Sequence, residues 1–189
     1  MSCTTLLEEI DMNTMVALLR GINVGGHNKL PMRELVDTLA GLGFRNIETY
    51  IQSGNVVFEC EGGSKIELTN QIRDAIHQNH GFAPDVMLLS ADELEEALLA
   101  NPFPEAEAQP KTLHLYFLGS KPPNPDYQRM EEMKSSSERY ALVGKVFYLN
   151  APDGIGRSKL AAGIEKALGV SVTARNWRSV IKINEISKV

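Results

Sequence analysis

Four polar stretches hold the side chains best suited to recognising a ligand. The first, RGINVGGHNK, covers residues 20–29. Gly25 and Gly26 permit positive φ and close backbone approach, which lets successive N–H groups line a concave anion nest. Arg20 and Lys29 add positive charge, and Asn23 and Asn28 add polar contacts. The spacing fits neither a P-loop nor a dinucleotide fingerprint, since it lacks the lysine–serine ending of one and the third glycine of the other. The plain alternative is a crossover loop that needs glycines only to turn. The second stretch, Gln52-Ser53-Gly54-Asn55, has tight-turn composition, and Ser53 lacks the G-x-S-x-G frame of a nucleophile elbow. The third, Gly154 to Lys159, sets Arg157 and Lys159 at a helix start, where the dipole prefers acids. An anion on the free N–H groups reconciles that placement, and a solvated start capped by Ser158 competes with it. The fourth, TARNW, offers Arg175 just before Asn176, a natural helix cap, while Trp177 falls at core spacing with Val180 and Ile181.

Together these stretches give Arg20, Asn23, Gly25, Gly26, Gln52, Asn55, Arg157, Ser158, Lys159 and Arg175 as candidate ligand-binding residues. Their chemistry favours a small phosphorylated or carboxylated ligand held in one cleft between two halves of the chain. No catalytic residue stands out, because no general base accompanies them. Metal and cofactor sites are not expected. Asp74, His77 and His80 fall at i, i+3 and i+6, drifting off one helix face. Cys3 and Cys60 form no paired spacing for zinc or a disulfide framework.

The elements that must position these residues follow from periodicity. Met15 to Arg20 is apolar on both faces, as a central strand requires. Pro31 opens a helix with Leu35, Val36, Leu39 and Leu42 at helical spacing, and Gly43 ends it. Glu48–Gln52 and Val56–Cys60 read as strands around the 53–55 turn. Ser64–Glu67 and Ser90–Glu93 are capping boxes opening two further helices, with a strand at Asp85–Leu89 between them. Residues 102–111, rich in proline, read as a linker. The same order then recurs: strand Thr112–Leu118, helix Pro125–Met133, hairpin Arg139–Val143 and Val146–Leu149, helix Ser158–Leu168, strand Val170–Thr173 and helix Asn176–Ser187. The expected fold is α+β, two tandem ferredoxin-like βαββαβ repeats with extra helices. The first repeat and a connecting helix span 15–101, and the second repeat with a C-terminal helix spans 112–189. Residues 1–14 form an N-terminal extension in which Leu6, Leu7 and Ile10 suggest an amphipathic turn.

Composition narrows the partners. The 189 residues are 43% hydrophobic and 23% charged, which is ordinary for a globular chain. The net charge of -5 counts against nucleic acid as a partner. An RNA-binding module remains the second reading, because the expected fold is shared with one and Tyr116 and Tyr148 occupy matching strand positions. A protein–protein interaction domain is the third. No apolar run reaches the ~18 residues of a membrane span. The N-terminus lacks the basic region of a signal peptide, so a cytoplasmic location is expected. Nothing in the sequence sets an oligomeric state.

The motifs LLRGINVGG, TYIQSGNVVF, GRSKL and TARNW, in that order, closely resemble those of the bacterial domain-of-unknown-function family 1697. The resemblance runs from Met15 to the C-terminus. It implies a small cytoplasmic protein with a two-part α+β fold, and it transfers no catalytic residues.

Overall fold

The computed structural model describes residues 12–189, so the expected turn around Leu6, Leu7 and Ile10 lies outside the described residues. In the first half, β1 (Met12–Arg20), α1 (Met32–Gly41), β2 (Arg45–Tyr50), β3 (Asn55–Glu61), α2 (Lys65–His80) and β4 (Asp85–Ser90) follow one another. In the second half the order is β5 (Leu113–Leu118), α4 (Tyr127–Met133), β6 (Arg139–Val143), β7 (Val146–Asn150), α5 (Lys159–Leu168) and β8 (Val172–Asn176). Two more helices, α3 (Ala91–Leu99) and α6 (Trp177–Ile186), follow the two halves. The fold is therefore α+β in two halves. Each half builds a four-stranded antiparallel sheet, ordered β2-β3-β1-β4 and β6-β7-β5-β8.

Strand alternation sorts the apolar residues into three cores. Met15, Ala17 and Leu19 of β1 face α1 and α2, with Leu35, Leu39, Ile72 and Ile76. Val16 and Leu18 face the opposite way, into a central core shared with Leu115 and Phe117 of β5, Leu94 of α3, and Trp177 and Val180 of α6. Tyr116 and Leu118 face outward again, onto α4 and α5 through Met130, Leu160 and Ile164. The doubly buried β1 thus joins two cores, which is why its sequence is apolar on both faces. Both capping boxes form, with Ser64 and Ser90 accepting from Glu67 N and Glu93 N at 3.2 Å each.

Several boundaries differ from those expected. Met12–Thr14 belong to β1, paired with Glu61, Cys60 and Glu59, rather than to an extension. β2 ends at Tyr50, which pairs with Asn55, so Ile51 and Gln52 lie in the turn. β8 starts later and runs on through Arg175 and Asn176, because these pair with Leu115 and His114 of β5. α4 starts after Asp126, whose side chain accepts from Arg129 N at 2.9 Å, and not at Pro125. The 102–111 segment is packed: it contains a 3-10 turn (Pro104–Ala108), and Phe103 and Ala106 are buried in the central core.

His114 gives the fold a titratable core position. It is 9% exposed, its Nδ1 has no protein partner among the described residues, and burial lowers its pKa from the ordinary 6.5, partly offset by a backbone hydrogen bond. The unfolded chain therefore takes up a proton first as pH falls. Stability is expected to drop below about pH 6.5 and to level off below the lowered folded value. Urea midpoints measured between pH 8 and 4 should show this step, and it should be missing in His114→Phe.

Candidate functional site

The loop after β1 is laced to itself and to its neighbour. Asn23 N donates to Asn28 O at 3.1 Å, and His27 N to Val24 O at 3.0 Å, closing a small hairpin over Gly25 and Gly26. The Asn23 side chain donates to Leu30 O (2.9 Å) and Gln52 O (3.0 Å) and accepts from Leu30 N (2.8 Å). Asn28 Nδ2 donates to Gly21 O at 2.9 Å. Gly25 and Gly26 stand exposed at the tip, with φ of 59° and 82°. The loop's amide side chains are spent on holding the loop.

Arg175 carries the contact between this end of β1 and the second half. Its Nε donates to Asn55 Oδ1, its Nη2 to Leu19 O (2.8 Å) and Ser53 O (3.1 Å), and its Nη1 to Ala174 O (2.8 Å). All four partners are neutral oxygens, and no carboxylate among the described residues pairs with it. Burial lowers its pKa to about 10, so it is still a cation at neutral pH. Asn55, 1% exposed, also donates to Tyr50 O (3.0 Å) and Ser53 Oγ (2.9 Å), which shapes the 51–54 turn. Arg20 crosses the same seam. Its two terminal nitrogens meet the two Glu165 oxygens at 2.7 Å each, and Nη1 also donates to Val172 O at 3.1 Å. The Arg20 hydrogen bond holds the Glu165 carboxyl below its ordinary range. With both side chains about 40% exposed, the pair contributes about 1 kcal/mol or less.

The ten sequence candidates therefore divide. Arg20, Asn23, Gln52, Asn55 and Arg175 meet along one seam, bonded to the protein's own groups. Arg157, Ser158 and Lys159 do not join them. α5 starts beyond Asn150, which pairs with Leu113, whereas Val172 beside Arg20 pairs with Leu118 at the other end of β5. Ser158 precedes Glu165 by seven residues, about 10 Å along the helix. Ser158 caps α5 by accepting from Ala161 N at 2.9 Å, and Arg157 and Lys159 are exposed. The aromatic pair divides too. Tyr116 lies against α4 and α5, while Tyr148, paired with Leu115, lies in the central core and donates to Ala97 O at 2.6 Å. Both are buried, on opposite faces of the sheet, so they form no stacking surface.

The 51–54 turn holds one residue against its preference. Ile51 has φ of 51° while 52% exposed, so burial does not compensate the left-handed backbone. Ile51→Asn is expected to stabilise the fold by about 1 kcal/mol, readable as a higher urea midpoint with unchanged slope.

A concave site does lie between the halves, elsewhere. It is a groove of about 720 Å³ lined by the start of α2, by β4, by α3, by the end of β5 and by the β6–β7 turn. Val86, Met87, Leu89 and Val143 give it apolar walls. Its charged groups are Lys65, Glu93, Glu96 and Lys145. Lys65 is paired with Glu93. Burial raises the Glu93 pKa, but Lys65, the Ser90 amide and the charge of Lys145 outweigh it and hold the carboxyl below its ordinary range. Lys145 and Glu96 have no ion-pair partner among the described residues. Apart from Glu93, which closes a capping box, none of these charged residues belongs to a motif, and the docking of the two halves brings Lys145 up to the other three. Among the described residues no cluster of three or more His, Cys, Asp or Glu side chains is placed to hold a metal, and no helix is long and apolar enough to cross a membrane.

Two antiparallel sheets with helices on their outer faces and two helices packed into the core between them define a two-half α+β protein with an inter-half groove. The chain belongs to the family described as protein of unknown function (DUF1697), whose model matches residues 12–148. A solved structure with a similar fold is that of the conserved bacterial protein SP0830 from Streptococcus pneumoniae. It is 23% identical with a TM-score of 0.72, and the match covers 94% of this chain and 99% of that one. No curated protein matches the sequence.

Proposed function

We propose that this is a binding protein whose ligand lies in the groove between the halves and presents one carboxylate on an apolar body. The observation that carries this reading is the groove itself. Its volume, about 720 Å³, suits a small organic ligand, and its walls come from both halves, where such sites gather. The charge balance selects the ligand. Among the described residues Lys145 is the groove cation without an ion pair, while Glu96 is unpaired and Glu93 is ionised beside Lys65. A dianionic phosphate meets two carboxylates for one available lysine. A monocarboxylate matches Lys145, and its apolar part lies along Met87, Leu89 and Val143. Each half is taken as a ferredoxin-like unit. The βαββαβ order and the identical strand orders of the two sheets support that reading.

The test is a thermal-shift series with aryl and medium-chain carboxylates, alongside matched phosphates and alcohols. Ligand at 100 times its Kd stabilises the native state by about 2.7 kcal/mol. The carboxylates are expected to raise Tm in the wild type and not in Lys145→Glu, with the alcohols inert. An equal shift in the variant, or none with any carboxylate, overturns the proposal.

A further inference from the structure

The groove has a feature that a pocket for a compact molecule does not need: it runs along an open sheet edge. β4 is the terminal strand of its sheet, bonded among the described strands to β1 alone. The groove touches Val86, Met87, Leu88 and Leu89 in succession. Successive strand side chains point to opposite faces, and here they do: Val86 and Leu88 pack on the α1–α2 core, Met87 and Leu89 on the central core. A cavity that meets both sets must lie at the strand's edge, beside its outward backbone N–H and C=O groups.

Beyond its first residue, that edge also lacks the devices that normally protect one. Edge strands are blunted by charges, prolines or bulges. At the opposite side of the same sheet, β2 has them: a register shift between Arg45 and Glu48, with Asn46 at φ 49°. In the other sheet β6 opens with Arg139, and β8 carries Arg175. β4 opens on Asp85, just after Pro84, and then offers four consecutive apolar residues, Val86 to Leu89, with no charge, proline or bulge among them. The groove's lining extends to exposed aliphatic side chains, Ile66 at 75% and Val143 at 42% exposure. Its two unpaired charges come from different halves, Glu96 from α3 and Lys145 from the β6–β7 turn.

We propose that the ligand of this groove is an extended peptide segment of another protein, added to β4 as a fifth strand. It carries apolar side chains toward the groove walls, a carboxylate toward Lys145 and a basic side chain toward Glu96. This deepens the binding reading above and rests on it. Main-chain pairing supplies the affinity, and the side chains on either face select the sequence. The two opposite charges on the groove set the direction in which the segment lies.

The experiment pans a phage-displayed random heptapeptide library on the full chain and then measures synthetic copies of the selected peptide by calorimetry. Each copy is N-methylated at one position. Only alternate N–H groups of an added strand face β4, so methylation at every second position is expected to weaken binding at least tenfold and methylation between them to leave it unchanged. The change is made on the peptide, so folding of the protein is not at stake. Lys145→Glu and Glu96→Lys are each expected to weaken the wild-type peptide and to select peptides of reversed charge. Binding that is indifferent to methylation, or to both charge variants, overturns the strand proposal. If no peptide is selected while small carboxylates still raise Tm through Lys145, the peptide ligand is excluded and the binding reading stands. If neither binds, both fall.

Discussion

Arg175→Ala is expected to lower the unfolding free energy by about 3 kcal/mol, among the largest single losses available outside the apolar cores. Arg175 ties Asn55, Ser53 and Leu19 of the first half to β8 of the second. Removing it strands the Asn55 Oδ1, in a residue 1% exposed, and a buried acceptor left without its donor costs about 1–3 kcal/mol. The hydrogen bonds to three main-chain carbonyls, two of them in the first half, go with it. Arg175→Lys is expected to recover little, because one ammonium cannot span the forked set of acceptors that a planar guanidinium meets. Arg20→Ala serves as the internal comparison. Its ion pair is half in water, and its loss should stay within about 1 kcal/mol. Urea denaturation of the three variants checks the order. A loss in Arg175→Ala no larger than in Arg20→Ala would show that the seam is not held through the buried guanidinium.

The same two arginines explain what the sequence disclosed and what it hid. Element order was legible because its signals are local. The double-faced apolar run of β1, the serine–glutamate boxes and the Gln52–Asn55 turn each lie within a few residues. Strand ends were less legible. β2 stops at Tyr50 because Asn55 pairs there, while β8 runs on through polar Arg175 because β5 lies alongside. The motif residues stand out in the sequence as polar groups with a purpose, but residue type does not say whether an arginine's partner is a ligand or the chain itself. Arg20 finds Glu165 across 145 positions and Arg175 finds Asn55 across 120. Those partners exist only once the halves dock. The groove was invisible for the converse reason. Lys65, Met87 and Lys145 are ordinary surface and strand residues; their shared site follows from the docking of the two halves, and the open edge of β4 from sheet order.

Gly54→Ala is expected to cost about 2–4 kcal/mol, from two causes that a second variant separates. The residue has φ of 73°, where a Cβ costs about 1 kcal/mol. The added carbon also lies 2.7 Å from Leu19 Cβ and 2.8 Å from Ile22 Cδ1, and overpacking of that kind adds about 1–3 kcal/mol. Leu19 Cβ is rooted on a central strand, and Gly54 O accepts from Leu19 N at 2.7 Å, so neither partner can withdraw easily. Gly144 has φ of 60°, and a methyl group there would meet nothing within 4 Å. Gly144→Ala therefore isolates the backbone cost, near 1 kcal/mol, and the difference between the two alanine variants measures the contact. Because Gly54 sits between Ser53 and Asn55, a shift that relieves the contact also displaces two acceptors of Arg175. The double variant Gly54→Ala/Arg175→Ala should then lose less than the two single losses together, by at least about 0.5 kcal/mol. Strict additivity in urea denaturation would show instead that the turn absorbs the methyl group without disturbing the seam between the halves.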